Sequence, residues 1–323
     1  MEILRHQDQS WLVGEAGFAL RALGRPREAI EPREAALDRD VNERDWQKAA
    51  SDAVNLSELH LVLGDLGRSE ARAREAVEHA DMSEDTFLEM RARVWLADAL
   101  HERGNLAAAQ ALFEDAESRQ RAEEPSYPLL NSLQGYHYCD LLLEQGEAAA
   151  VARRATQTLE WFTPQRWLLD IAFDHLSLGR AHLALCEFGP AREHFDRAVE
   201  GLRAAGHLDT LTRGLLARAT FRRAADELVL ARRDLAEALK LVERSGLRLY
   251  AADCALEEAR IALAESERQG LDAAAARAKL AEAHAAFRRA RSLVEEMGYG
   301  RRRPELAELA RALGEAGETE ANA

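Results

Sequence analysis

The residue types most able to do chemistry lie close together at His137, Cys139 and Asp140, and again at His182 and Cys186. Cysteine near histidine and a carboxylate is the composition of a nucleophilic relay, and histidine four residues before cysteine could bind a metal. Neighbouring residues on a helix point in different directions, however, so the first group cannot form a relay. Two ligands are also too few for a structural zinc site. We therefore predict no catalytic residue, no metal ligand and no cofactor.

The cysteines and the hydrophobic pattern indicate the cellular compartment in which we expect the protein. Cys139, Cys186 and Cys254 are odd in number and lie within helical patterns, which is typical of small buried residues in a reducing compartment. The opening MEILRHQDQSWLVGE lacks an apolar stretch behind a basic start, and no run approaches about 18 apolar residues. We expect a cytoplasmic protein that does not span a membrane.

The composition indicates a helical and acidic protein. Of the 323 residues, 47% are hydrophobic and only 7 are proline, so a large helical core is possible. The formal net charge is −14 at pH 7. A general nucleic-acid binder needs a basic face to neutralise phosphates. The charge therefore argues against nucleic acid as a partner.

Alanines recur with a period of about 40 residues, within the range typical of repeat proteins. The positions are Ala36, Ala76, Ala116, Ala198 and Ala238. The clearest copies of the surrounding pattern are residues 96–116 and 178–198, in which two helical stretches flank a short turn. A single helix–turn–helix unit cannot bury both of its faces, so such units stack into a solenoid.

This pattern predicts one all-α domain over residues 1–314, a right-handed superhelical solenoid of about seven units. Pro304 suits the first turn of a final helix at 304–314, which would cap the solenoid. Residues 315–323 are predicted to be a disordered tail. The predicted repeats are 8–40, 47–80, 88–121, 130–162, 169–204, 210–245 and 249–297.

The first unit begins almost at residue 1 and shows no cap of its own. This favours a preceding segment, a docked partner or self-association through that unit, and a polar first helix that covers its own end is an equal alternative. The oligomeric state is left open. At the other end, the basic run Arg301 to Arg303 is expected to be solvated, with contact to an acidic partner or neighbouring domain as the alternative.

The repeated small and aromatic positions resemble the tetratricopeptide repeat (TPR). Segments such as GYHYCDLLLEQGE and LVEEMGYGRRRPELAEL further resemble the C-terminal TPR regions of bacterial multidomain signalling proteins, over about residues 50–313. In those proteins the repeats are fused to a STAND-type (NB-ARC or NACHT) NTPase or another effector. The resemblance implies a sensor or scaffold with a protein or peptide partner. It also implies a fused or associated NTPase, which would lie outside these residues because the sequence has no G-x-x-x-x-G-K-[ST] loop.

In such solenoids one face of each unit's first helix lines a concave groove. Aromatic and arginine side chains are enriched at binding hot spots, so we predict that a protein or peptide partner is captured there. The predicted groove residues are Asn55, Glu58, Arg91, Trp95, Asp98, Tyr136, His137, Asp140, Phe173, Arg180 and Arg213.

The leading hypothesis is a non-enzymatic binding scaffold or sensor in a bacterial signalling or defence assembly. The alternative is a receptor for a small ligand or signalling peptide, with an enclosed pocket near repeats four and five. A closed apolar pocket around Tyr136, Phe173 and Trp167 would favour the receptor, whereas an open groove would favour the scaffold. An enzyme is ranked last because no motif supports one.

Overall fold

The computed structural model describes residues 17, 19–21 and 23–315, and this part of the chain is helical and contains no strand. The predicted all-α solenoid is confirmed. Residues 8–16 of the first predicted repeat and 316–323 of the predicted tail lie outside the described residues. The α-helices are α1 (Ile30–Glu43), α2 (Trp46–Val62), α3 (Leu66–Ser83), α4 (Thr86–Glu102), α5 (Leu106–Glu123), α6 (Ser132–Glu144), α7 (Ala148–Phe162), α8 (Leu168–Ala184), α9 (Phe188–Ala205), α10 (Leu208–Ala224), α11 (Leu228–Ser245), α12 (Arg248–Ser266), α13 (Ala273–Met297) and α14 (Arg303–Ala312).

Successive helices pack as pairs, and we call the first helix of each pair helix A and the second helix B. The pairs are α2 with α3, α4 with α5, α6 with α7, α8 with α9, α10 with α11, and α12 with α13. Gly179 of α8 shows why small residues recur at the crossing, because a Cβ there would lie 3.0 Å from the ring of Phe195 on α9. Phe113 and Phe195 are fully buried and fill the space between helices. None of the helices described here combines the length and apolar character needed to cross a membrane.

Side-chain caps fix the start of the early helices. Asp45, Asp65, Asp85 and Asn105 each accept a hydrogen bond from the backbone N–H three residues later. These bonds satisfy donors that the first turn of a helix leaves free. The short turns of the first units are therefore fixed by local sequence.

The solenoid closes on itself, so that the turns of the first three units contact the last part of the chain. These contacts join Gly24 with Ser245, Gly64 with Met297, and Gly104 with Gly300. Helix α2 also packs on α12, and α4 packs on the 3-10 helix Gly300–Arg302. The inner faces of the A helices consequently line an interior space that is partly open to solvent.

One cysteine differs from its expected place. Cys186 is exposed in the turn between α8 and α9 and has a φ of 59°, whereas Cys139 and Cys254 are buried. Glycine occupies the matching position in earlier units, for example Gly146 with a φ of 83°. The repeat pattern predicted a turn here, but the expectation that Cys186 is buried was wrong, because cysteine seldom adopts this left-handed conformation.

Candidate functional site

All eleven predicted groove residues lie on A helices and face the interior. Asn55, Arg91, Arg180 and Arg213 are half-buried. The other seven are buried: Glu58, Trp95, Asp98, Tyr136, His137, Asp140 and Phe173. These seven residues therefore offer little surface to a partner segment in this conformation.

Eight of these residues line one of two interior cavities. The larger cavity has a volume of about 430 Å³ and the smaller about 250 Å³. The larger is bordered by Tyr136, Asp140, Arg180 and Arg213, and the smaller by Asn55, Glu58, Arg91 and Phe173. Tyr136 and Phe173 pack against each other with ring centroids 5.3 Å apart, which places them where the two cavities approach each other.

The remaining three residues form a packed polar cluster that borders neither cavity. His137 Nδ1 lies 2.8 Å from Asp98 Oδ1, and both side chains are fully buried. The Trp95 ring packs edge-on against His137 at 5.0 Å. These residues hold α4 against α6 and do not face a ligand.

The two carboxylates of the smaller cavity share one cation, whereas Arg91 forms no ion pair among the described residues. Arg21 forms ion pairs with Glu58 and with Asp209, the latter at 2.7 Å. Arg91 donates to the side-chain oxygen of Asn55 at 3.3 Å. The Arg21 contacts join the first unit to α10, so this cavity belongs to the closure of the solenoid.

The larger cavity brings together side chains from four successive A helices. Arg180 on α8 donates to the Tyr136 hydroxyl on α6 at 3.2 Å, and Arg180 also pairs with Asp140. Arg213 on α10 donates through Nε to the Tyr250 hydroxyl on α12. The Arg213 guanidinium lies 5.6 Å from the Tyr136 ring centroid and 5.4 Å from that of Tyr250. Two aromatic rings therefore flank one cation, and such contacts are favourable.

Arg213 differs from the other arginines of this cavity. Within the described residues it contacts no carboxylate, and its Nη1 and Nη2 atoms make no hydrogen bond. Burial opposes its charge, but the rings of Tyr250 and Tyr136 and the carboxylate of Asp98 raise the pKa of Arg213 well above its ordinary value. Arg213 is thus a permanent cation whose outer donors are free. The other arginines at the cavity are paired with acids: Arg180 with Asp140, Arg260 with Glu305, Arg301 with Asp140, and Arg302 with Asp253.

Arg301, from the 3-10 helix near the C-terminal end of the chain, forms part of the wall of the larger cavity. Its side chain is 5% exposed, and its Nη atoms contact Asp140 at 2.6 and 2.7 Å and Glu102 at 3.1 Å. Its Nε contacts Glu144 at 2.9 Å. Burial opposes the charge of Arg301, but Asp140 and Glu102 raise its pKa well above the usual value. Burial likewise opposes the charge of Asp140, but Arg180 and Arg301 together hold its pKa far below the ordinary range.

The basic run was expected to be solvated, and for Arg301 this prediction was wrong. Arg302 is also engaged, through Asp253 at 2.7 Å and through Glu305, whereas Arg303 is exposed. A signal for the Arg301 site is present in the sequence, because Glu102, Asp140 and Glu144 are carboxylates at inner positions of neighbouring A helices. Tyr250 and Asp253 on α12 are two further cavity residues that sequence reasoning missed.

The arrangement is suited to binding rather than to covalent chemistry. Burial raises the pKa of Cys139 to about 11, so this thiol is protonated at neutral pH and is a poor nucleophile. Among the residues described, no group of three or more His, Cys, Asp or Glu side chains could hold a metal ion. The fold and this site define an α-solenoid of helical hairpins around a charged interior cavity.

No protein-family model matches the chain, and no curated protein matches it. Among solved structures it is similar to the TPR2AB domain of yeast Sti1, determined as a pHSP90 complex, with 16% sequence identity and a TM-score of 0.33. That match covers 95% of this chain and 99% of the other. The architecture described above depends on the chain's own helix pairs and not on this likeness.

Proposed function

We propose that this chain is a non-enzymatic binding module and that its ligand occupies the larger cavity with an anionic group on Arg213. The observation that carries the proposal is the half-buried Arg213 guanidinium, which has free donors and no carboxylate partner within the described residues. A partly desolvated cation that forms no hydrogen bond with a carboxylate is favourably placed to bind an anion. An anionic group on the ligand would supply the missing partner.

The size and lining of the cavity suit a small molecule or the end of a peptide. Its volume of about 430 Å³ falls within the common range for ligand pockets. Guanidinium groups bind carboxylate and phosphate through two parallel hydrogen bonds. Tyr136 and Tyr250 offer aromatic faces beside that charge. We therefore favour the receptor over a scaffold that holds a long segment in an open groove, and the bacterial signalling or defence role and the associated NTPase stay predictions.

The test is a thermal-shift screen with small carboxylates and phosphates, followed by calorimetry on each compound that raises the melting temperature. A ligand at a hundredfold excess over its dissociation constant stabilises the native state by about 2.7 kcal/mol. We expect Arg213→Met to lose this stabilisation. The matched control is Arg203→Met, because Arg203 is exposed on α9 and pairs only with Glu237 at 2.6 Å.

Arg213→Met has a second expected effect that does not require the ligand. Methionine fills a similar volume but loses the hydrogen bond to Tyr250 and the contacts with two rings, so the unliganded variant should be less stable than the wild type by about 1–3 kcal/mol. A compound that stabilises Arg213→Met as well as the wild type would contradict the proposed site. A loss well beyond that range in the unliganded variant would show that the main role of Arg213 is structural.

A further inference from the structure

The two sides of the solenoid carry apolar residues that nothing in the described chain covers. We call the side made by the turns within pairs the front edge, and the side made by the connections between pairs the rear edge. The uncovered front-edge residues are Leu23, Leu185, Phe188, Val229, Leu230 and Leu271, and the uncovered rear-edge residues are Met82, Phe87, Trp167 and Leu168. Val229 is 77% exposed, Phe87 57% and Leu168 56%. On the rear edge they fall at two connections, Met82 with Phe87 and Trp167 with Leu168, and exposed apolar side chains that lie together mark interaction surfaces.

The chain already contains one contact between a front edge and a rear edge. The front edge of the first unit, at Gly24, lies against Leu208 and Ser245 on the rear edge of later units. The front edge of the second unit, at Gly64, lies against Met297 and Arg248. The closure of the solenoid is therefore a front-to-rear contact between successive turns.

The uncovered rear-edge residues occupy the same places as residues that make this contact. Leu208 and Leu168 are each the first residue of an A helix, α10 and α8. Met297 and Met82 lie at the ends of B helices, α13 and α3. On the front edge, Phe188 and Val229 begin the B helices of units five and six, next to turns equivalent to those at Gly24 and Gly64.

We propose that a second copy of this chain docks its uncovered rear edge on the uncovered front edge of the first. This contact would continue, between chains, the turn-to-turn packing that exists within one chain. A front-to-rear contact is heterologous, so each copy keeps one unused edge of each kind and assembly can continue in a row. The occupant is a second copy because the chain itself presents the matching edge.

The test is sedimentation velocity over two orders of magnitude in protein concentration. We expect the wild type to form dimers and longer species as concentration rises. A front variant, Phe188→Glu with Val229→Glu, and a rear variant, Phe87→Glu with Leu168→Glu, should each be monomeric. All four side chains are exposed, so circular dichroism should show unchanged folding.

Mixing the two variants gives the decisive result. Each retains one intact edge, so the mixture should form dimers and nothing larger. The control is Thr156→Glu with Gln157→Glu, which adds the same charge at exposed positions in the middle of α7 and should assemble like the wild type. A wild type that is monomeric throughout, a rear variant that still dimerises, a mixture that stays monomeric, or a control that loses assembly would each overturn the proposal.

Discussion

The same turn recurs on both halves of the solenoid, but its surroundings differ. Gly104 in unit three has a φ of 84°, and Gly146 in unit four has a φ of 83°. A Cβ on Gly104 would lie 3.1 Å from the backbone of Gly300, whereas a Cβ on Gly146 would meet nothing within 4 Å. The first turn is covered by the end of the chain and the second is open.

Two different constraints can require glycine at a turn, and the sequence alone does not distinguish them. At the open turns only the left-handed conformation matters, and Cys186 and Asp226 adopt it with φ values of 59°. At the covered turn of Gly104 the backbone of Gly300 must also approach closely. Gly300 completes this contact, because a Cβ there would overlap the carbonyl oxygen of Arg103.

The largest expected effect comes from breaking the ion pairs beneath the covered turn. Arg301→Met leaves the buried Glu102 without its cation and removes one of the two cations on the buried Asp140, and losing one partner of a buried ion pair costs about 3–5 kcal/mol. The matched change on the open side is Arg192→Met, which removes an exposed pair with Glu227 and should cost about 0–1 kcal/mol. Urea unfolding measures both. Equal losses would mean that the closure contributes little to stability.

The two glycines provide the next test. Gly146→Ala should cost about 1–2 kcal/mol because alanine is disfavoured in the left-handed region. Gly104→Ala should cost a further 1–3 kcal/mol, on the order expected for overpacking, since it also presses on Gly300. Denaturant unfolding of the two variants gives the difference directly. Similar values would show that the covered turn can move away from Gly300.

Unit five, whose turn is open, contains two adjacent buried groups that should respond oppositely to pH. Burial raises the pKa of Asp174 to about 8, with Thr158 donating to it at 2.6 Å and Asp170 adding to the rise. Burial lowers the pKa of His175 to about 4, assisted by His194, whose Nδ1 lies 2.9 Å from that of His175. The ordinary values are about 3.9 for Asp and 6.5 for His.

The direction in which stability changes with pH depends on whether the native or the unfolded state binds more protons. The stability that Asp174 contributes is fully present below about pH 4 and is lost as the pH rises toward about 8. The stability that His175 contributes is fully present above about pH 6.5 and is lost as the pH falls toward about 4. Asp174→Asn should therefore leave a protein destabilised by acid, and His175→Asn one destabilised by rising pH, each by about 1–3 kcal/mol. Thermal unfolding from pH 4 to pH 8 checks this, and profiles of the same sign in both variants would refute it.

The stability of the contact between the first three units and the end of the chain should change little over that range of pH. Burial opposes ionisation of Glu305, but Arg302 and Arg260 lower its pKa to about 2. Glu305 therefore stays ionised at pH values well below the window of His175. Amide exchange at pH 5, corrected for intrinsic rates, should show that α8 and α9 lose protection before α14 does in Asp174→Asn.

The smallest effect is a gain in stability at the open turns. Cys186→Gly relieves a left-handed cysteine with no close neighbour to disturb, and it should stabilise the protein by about 1 kcal/mol. Asp226→Gly should gain less, because Asp tolerates this conformation better and because its carboxylate pairs with Arg268 at 3.3 Å. Calorimetric melting measures both changes. A loss of stability in either would mean that these side chains make contacts that offset the strain.

The helical repeat was predictable because its period depends only on local pattern. Helix-forming composition, small residues at the A and B crossings and glycine at the turns are all encoded within one unit. The same pattern placed Arg180 and Arg213 on inner faces, where both border the larger cavity. These features need no knowledge of how one unit lies relative to a distant one.

The closure was not predictable from the repeat pattern, because it depends on pairs far apart in sequence. Arg301 and Glu102 are separated by 199 residues, and whether they meet depends on the pitch of the whole solenoid. The pocket predicted around Tyr136, Phe173 and Trp167 also depends on how distant residues are placed. Tyr136 and Phe173 are in contact, but Trp167 is 52% exposed on the rear edge and stacks on Phe162.

The most direct test of the closed cavity is the coupling energy between Arg301 and Asp140, measured by a double-mutant cycle with Arg301→Met and Asp140→Asn. Residues in contact within one network show coupling of about 0.5–3 kcal/mol, whereas distant residues are additive within about 0.5 kcal/mol. The closed solenoid predicts coupling of at least about 2 kcal/mol, because two Nη atoms of Arg301 contact this one carboxylate. Additive losses would show that the end of the chain does not meet α6, and the inner face would then be an open groove.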